Sequence, residues 1–276
     1  MRIPAWPTVW SVIRLLTAAL LIAAVVTQFV STVRGAIDDG RDTVTTIANF
    51  FSYFTILSNL VGAVALLAAA LWFWLRPRHD VIEPFGVAVA LACATTYLAI
   101  TGIVYNTLLR GLPSLSDDSV PWTNEVLHVV GPALLVLDLL LAPMRRRLPW
   151  RSVLGILLFP IIWIVYTLTR GPFVTNPLDG VEFWYPYPFL NPNGVAGWGG
   201  VGAYVIGIAL AFVVVGTIVV WVGRLRAADP ASRRSGSAPG QPSDRAASTA
   251  LSRVAEPTRN AASDRSSGRI ASARRT

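Results

Sequence analysis

Asn49-Phe50-Phe51-Ser52-Tyr53-Phe54-Thr55-Ile56-Leu57-Ser58-Asn59 opens an apolar segment that runs on to about Trp74. Length and composition predict a helix that crosses a bilayer. Its first turns carry Ser52, Thr55 and Asn59, spaced i, i+3, i+7, which lies on one face of a helix. A polar stripe is costly against lipid, so it is expected to face other helices or a wet cavity. The functional question is what this stripe faces, and the candidate partner is His128.

Working outward, five more apolar segments follow the same rule. The six are roughly Val9–Val30, Phe50–Trp74, Phe85–Leu108, Trp122–Ala142, Ser152–Thr169 and Val201–Val222, with no internal repeat among them. The chain of 276 residues is 54% hydrophobic and only 14% charged, against about 25% charged in soluble domains. The expected fold is all-α: a polytopic bundle of six transmembrane helices over residues 1–226. The first segment is too long for the apolar part of a signal peptide and lacks a small-residue cleavage site after it, so it is expected to be a retained helix. A single cysteine, Cys93, excludes an internal disulfide and a multi-cysteine metal site.

The basic residues are all arginine, and the net charge of +8 comes largely from the last fifty residues. That charge describes a tail, not a nucleic-acid-binding fold. Residues 227–276 are rich in Ser, Ala, Arg, Pro and Gly and are expected to be a disordered cytoplasmic tail, either simply solvated or touching anionic lipid head groups. Arg2, Arg76, Arg78, Arg145, Arg146, Arg147, Arg151, Arg224 and Arg226 flank one set of helix ends. The other set carries Arg34, Arg41, Arg110 and Arg170, diluted by acids. The positive-inside rule then places both termini in the cytoplasm of a cell whose plasma membrane holds the protein, with loops 31–49, 109–121 and 170–200 outside.

In that frame Thr55 and His128 lie about five and six residues below the same surface, roughly 8–9 Å deep. A threonine hydroxyl is a weak nucleophile until a neighbouring base takes its proton, and a neutral imidazole can do so. Asn124 and Glu125, at i−4 and i−3, share the face of His128, and either could orient the ring. Ser52 or Asn59 could donate to a developing oxyanion. The plainer alternative is that these polar groups only hold helices together. The same two alternatives apply to Thr101, Tyr105 and Tyr97 in the third segment. Loop 170–200, with Trp184, Tyr185 and Tyr187, reads either as a lid over a cavity or as an interfacial aromatic belt.

Arg14 and Asp138 fall at matching depth near the opposite surface, where an unpaired charge is expensive, and are expected to form a structural ion pair; snorkelling of Arg14 is the alternative. Asp138 lies about 15 Å along its helix from His128, too far to orient it. The two histidines, His79 and His128, sit across the membrane from each other, so no His-rich metal centre is expected. No Gly-rich phosphate loop, nucleophile elbow or zinc-protease motif is present, and nothing points to a cofactor.

The chain resembles the androgen-induced and androgen-dependent membrane hydrolases, and more closely their bacterial relatives. The resemblance covers about residues 9–222 and rests on Phe54-Thr55, Trp122-x-Asn124-x-x-x-His128, Asp138, Tyr187-Pro188-Phe189-Leu190 and Arg14. It implies six helices in this order and, from the animal members, a threonine hydrolase that splits fatty-acid esters of hydroxy fatty acids, with Thr55 as nucleophile and His128 as base. Where those members carry an acid after the threonine, this chain has Ser58-Asn59. The two functional expectations are therefore an intramembrane hydrolase of lipid esters and a non-enzymatic membrane protein, either a small transporter or a lipid-binding scaffold. Membrane lipids are the expected partners in both; the sequence fixes no oligomeric state.

Overall fold

Among the described residues, six helices are long and apolar enough to cross a membrane: Ala5–Asp38, Phe54–Leu75, Phe85–Leu109, Pro121–Leu141, Ser152–Phe173 and Gly197–Arg226. The chain is a multi-pass integral membrane protein of all-α class. The structure, a computed structural model, describes residues 5–77, 82–111 and 120–227. The expected tail from 228 onward, like His79, lies outside the described residues.

We label the helices α1 (Ala5–Asp38), α2 (Thr43–Phe50), α3 (Phe54–Leu75), α4 (Phe85–Val104), α5 (Pro121–Glu125), α6 (Gly131–Leu141), α7 (Ser152–Arg170) and α8 (Gly197–Arg226). The third span is α4 extended by a π turn, Tyr105–Leu109, and the fourth is α5 and α6 joined by a π turn, Val126–Val130. In α1 the buried positions Trp10, Arg14, Ala18, Leu21 and Val25 recur every three or four residues, one stripe of a helix. That stripe packs on α3, the central helix, which in turn packs on α4. Close approach is possible because α3 is lined by small residues. A Cβ added at Gly62 would come within 3.2 Å of Leu98 and 3.4 Å of Leu21. The outer helix α8 instead exposes Ile206, Leu210, Val214, Ile218 and Trp221 at helical spacing, a stripe that meets lipid.

Two sequence expectations need correction. First, the segment beginning at Phe50 is not one helix. The loop before it contains a separate helix, α2, capped by the Asp42 carboxylate, which accepts from the backbone N–H groups of Val44 and Thr45. A turn at residues 51–53 then separates α2 from α3. Ser52 Oγ donates back to the Ala48 carbonyl at 2.7 Å, and the Ser52 carbonyl accepts from the Trp163 indole at 3.0 Å in place of a helical N–H. Second, α1 runs on to Asp38, so most of the region taken for a loop is helical.

These corrections move the polar stripe. Thr55 lies in the first turn of α3 rather than one turn deep, and the face it shares with Ser58 and Asn59 does not include Ser52. Ser52 faces α7, where its hydroxyl lies 3.0 Å from that of Tyr166.

Candidate active site

The site is built where α3 begins and the fourth span widens. Pro132 has no N–H, so the His128 carbonyl loses its helical donor. The side chain of Asn106 takes that place at 3.4 Å. One residue earlier, the Gly131 N–H reaches back five residues to the Val126 carbonyl, a π-type bond that frees the Leu127 carbonyl. Asn59 Nδ2 donates to it at 3.1 Å and to the Thr55 carbonyl at 2.8 Å. Asn59 therefore ties the first turn of α3 to the turn that carries His128. Its donors are consumed in doing so, and it is not placed to hold an oxyanion.

That tie brings the two candidate residues together. Thr55 Oγ1 lies 3.2 Å from His128 Nε2. The other ring nitrogen, Nδ1, lies 2.9 Å from the backbone carbonyl of Asn124. A carbonyl only accepts, so Nδ1 carries the proton and Nε2 presents its lone pair to Thr55. Tyr105, from the other π turn, stacks on the imidazole with centroids 3.9 Å apart. Its hydroxyl accepts from the Asn124 side chain.

Tyr187 completes the arrangement. Its hydroxyl lies 3.3 Å from both the Thr55 backbone N–H and Thr55 Oγ1. One set of directions satisfies every group: Thr55 N–H donates to Tyr187, Tyr187 to Thr55 Oγ1, and Thr55 Oγ1 to His128 Nε2. Burial raises the Tyr187 phenol above its ordinary value, so it remains a neutral donor.

The other sequence candidates divide as follows. Asn124 does orient His128, but through its backbone carbonyl. Glu125 does not touch the ring: it pairs with Arg110 at 3.0 Å, both side chains close to half exposed. The widened turn and an available guanidinium draw it outward. Ser52 bonds to Ala48, Tyr166 and Arg170, leaving it no part in an oxyanion site. In the loop after α7, Trp184 and Tyr187 line the polar cavity beside Thr55. Tyr185 instead packs on Gly171, where an added Cβ would collide with its ring. The sequence put Tyr187 in a loop that is either a lid or an aromatic belt, and no sequence signal marked its contact with Thr55.

Thr55 stands between two cavities. One, about 260 Å³, is lined by polar groups including Gln28, Arg41, Asn49, Asn124 and His128. The other, about 170 Å³, is almost wholly apolar and lies among Val104, Leu157, Ile161, Val205, Phe212 and Val213. Thr55, Tyr105, Leu109 and Tyr187 line both.

At the opposite end of the bundle Asp138 is the hub of a buried cluster. Its carboxylate accepts from Arg14 Nε at 2.7 Å, Arg145 Nη2 at 2.6 Å and Trp10 Nε1 at 2.6 Å. Arg14 is only 6% exposed, which does not fit snorkelling. Glu83 lies beside Arg14, at 3.9 Å. The sequence pointed to Arg14 with Asp138 but not to the other three.

Among known proteins, no family model, no curated protein and no solved structure gives a significant match to this chain.

Proposed function

We propose that this protein is an intramembrane hydrolase of lipid esters, with Thr55 as nucleophile and His128 as general base. The observation that carries it is the 3.2 Å contact between Thr55 Oγ1 and an Nε2 whose lone pair is free to accept. Thr55 attacks the ester carbonyl, and its proton passes to His128 Nε2. Tyr187, released from Thr55 Oγ1 as that oxygen bonds carbon, donates to the developing oxyanion. Collapse breaks the ester C–O bond, and the leaving alcohol takes the proton from His128. Water then attacks the acyl-threonine carbonyl and gives a proton to His128; collapse breaks the bond from the acyl carbon to Thr55 Oγ1, which takes that proton back from His128 as the acid is released.

The two cavities support the lipid assignment. An acyl chain fits the apolar cavity between α4, α7 and α8, and water reaches Thr55 through the polar one. The arginine distribution supports an orientation with this site under the outer surface of the plasma membrane and both termini cytoplasmic. The resemblance to the androgen-induced membrane hydrolases, at Phe54-Thr55 and Trp122-x-Asn124-x-x-x-His128, points the same way.

A lipid-binding scaffold would use the same apolar cavity. A transporter would need a path through the bundle, and among the described residues the end opposite the site holds the buried, mutually paired Arg14–Asp138–Arg145 cluster. Purified protein in detergent is expected to hydrolyse long-chain 4-nitrophenyl esters, with Thr55→Ala and His128→Ala each losing at least a hundredfold in rate. Hydrolysis that survives both substitutions would remove Thr55 and His128 from the chemistry. Chain binding without hydrolysis would favour the scaffold.

A further inference from the structure

Pro160 lies inside α7 and has no N–H, so the Ile156 carbonyl, four residues back, lacks its helical donor. The Tyr97 hydroxyl donates to it at 2.8 Å. At this same residue α7 meets α8: a Cβ added at Gly216 would lie 3.6 Å from Ile156 Cγ2. On the Thr55 side of that contact the two helices are separated by the apolar cavity. Leu157, Pro160 and Ile161 line it from α7, and Ala209, Phe212 and Val213 from α8.

Three of these lining residues also reach the surface of the bundle. Ile161 is 56% and Val213 41% exposed, and Ala209 is exposed as well. Phe212 and Ile100, deeper in the same cavity, are buried. The surface of a membrane span meets lipid, so the cavity opens sideways into the bilayer between α7 and α8. All three residues at this mouth are apolar and offer hydrocarbon no barrier. The size of the cavity agrees with an open side. An apolar cavity of about 150 Å³ holds a molecule the size of benzene. At about 170 Å³ this one holds the carbons next to an ester, and the rest of a long chain has to lie outside it.

We propose that the gap between α7 and α8, flanked by Ile161, Ala209 and Val213, is a lateral portal through which a bilayer-resident lipid brings its ester to Thr55 while the far end of its chain stays in the leaflet. The portal rests on the lipid-hydrolase assignment for its purpose, and it sets the substrate class as a lipid that need not leave the membrane to be split.

The test uses the full chain in phospholipid nanodiscs with two probes. 4-Nitrophenyl palmitate arrives from the bilayer and 4-nitrophenyl acetate from water. Ala209→Trp puts an indole in the mouth, and the ratio of palmitate to acetate hydrolysis is expected to fall at least tenfold. Leu210→Trp, one residue on and turned to lipid away from the cavity, is expected to keep the ratio within twofold. If Ala209→Trp does not fold, Val213→Trp serves, with the same expectation. A ratio within twofold of the parent's in a folded mouth variant overturns the proposal and leaves the cavity of about 280 Å³ around Leu109 and Tyr204 as the way in. If the parent splits neither ester, the hydrolase assignment fails, and the portal is decided without chemistry. A palmitate ester carrying a diazirine near its carbonyl is then photolysed in nanodiscs holding the Thr55→Ala chain. Adducts on Ile100 and Phe212, at least fivefold fewer once Ala209→Trp is added, support the portal; no such adducts, or equal numbers with and without Ala209→Trp, overturn it.

Discussion

Replacing Asp138 with Asn removes the negative charge from the hub of the buried cluster and changes little else in shape. Two guanidinium groups, Arg14 and Arg145, and the Trp10 indole then converge on a neutral amide. The amide oxygen satisfies one side, but its NH2 group faces an arginine donor, so at least one donor is left unmet. Both arginines are nearly inaccessible, at 6% and 5% exposure, and water cannot take over. Breaking a buried pair by removing one partner costs about 3–5 kcal/mol. For a chain of this size about 2–4 °C of melting temperature corresponds to each kcal/mol, so the expected loss is about 6–20 °C. Arg14→Met should cost less, because Asp138 keeps Arg145 and Trp10. The assay is thermal melting of the detergent-solubilised protein followed by size-exclusion chromatography. An Asp138→Asn protein that melts within about 2 °C of the parent would refute the claim that this cluster holds α1 to α6.

Three other substitutions probe separate parts of the molecule. Tyr187→Phe should lower turnover about 10²–10³-fold with little change in KM, the effect of losing one oxyanion donor; a loss below threefold would make Tyr187 a packing residue. Glu125→Gln should leave both ester hydrolysis and melting temperature unchanged, since its partner Arg110 lies at the surface, and a tenfold loss of rate would return Glu125 to the site. Glu83 is held above the usual carboxylate range by burial, against the opposing pull of Arg145 and Arg14. Its contribution to stability is complete below the unfolded value of about 4.3 and is lost as pH rises through the higher folded value. Glu83→Gln, which cannot ionise, should therefore gain in melting temperature relative to the parent between pH 5 and pH 8; a gap that stays constant or reverses would contradict this.

The spans were legible because apolar length is a direct requirement of the bilayer, and Thr55 with His128 because polar groups inside such spans need partners. The same logic found Arg14 and Asp138. The break at residues 51–53 was not legible: Phe50, Phe51, Tyr53 and Phe54 continue the apolar run, and the Ser52 carbonyl at the break is met by the Trp163 indole, more than a hundred residues away. The π turns were hidden for a related reason. Pro132 lacks an N–H, but the carbonyls freed around it are met by Asn59 and Asn106 from other helices, which no local pattern announces. Glu125 was misjudged because ideal helical spacing placed it on the face of His128, whereas the turn widens and Arg110 stands nearby. Tyr187 comes from a proline-rich loop whose path no periodicity describes.

The central claim is that Thr55 is a nucleophile activated by His128. A fluorophosphonate probe on the solubilised protein, followed by mapping of the modified peptide by mass spectrometry, tests it most directly. The expected result is a single adduct on Thr55, absent in Thr55→Ala and at least tenfold slower to form in His128→Ala. An adduct on another residue, or labelling that is indifferent to His128, would contradict it.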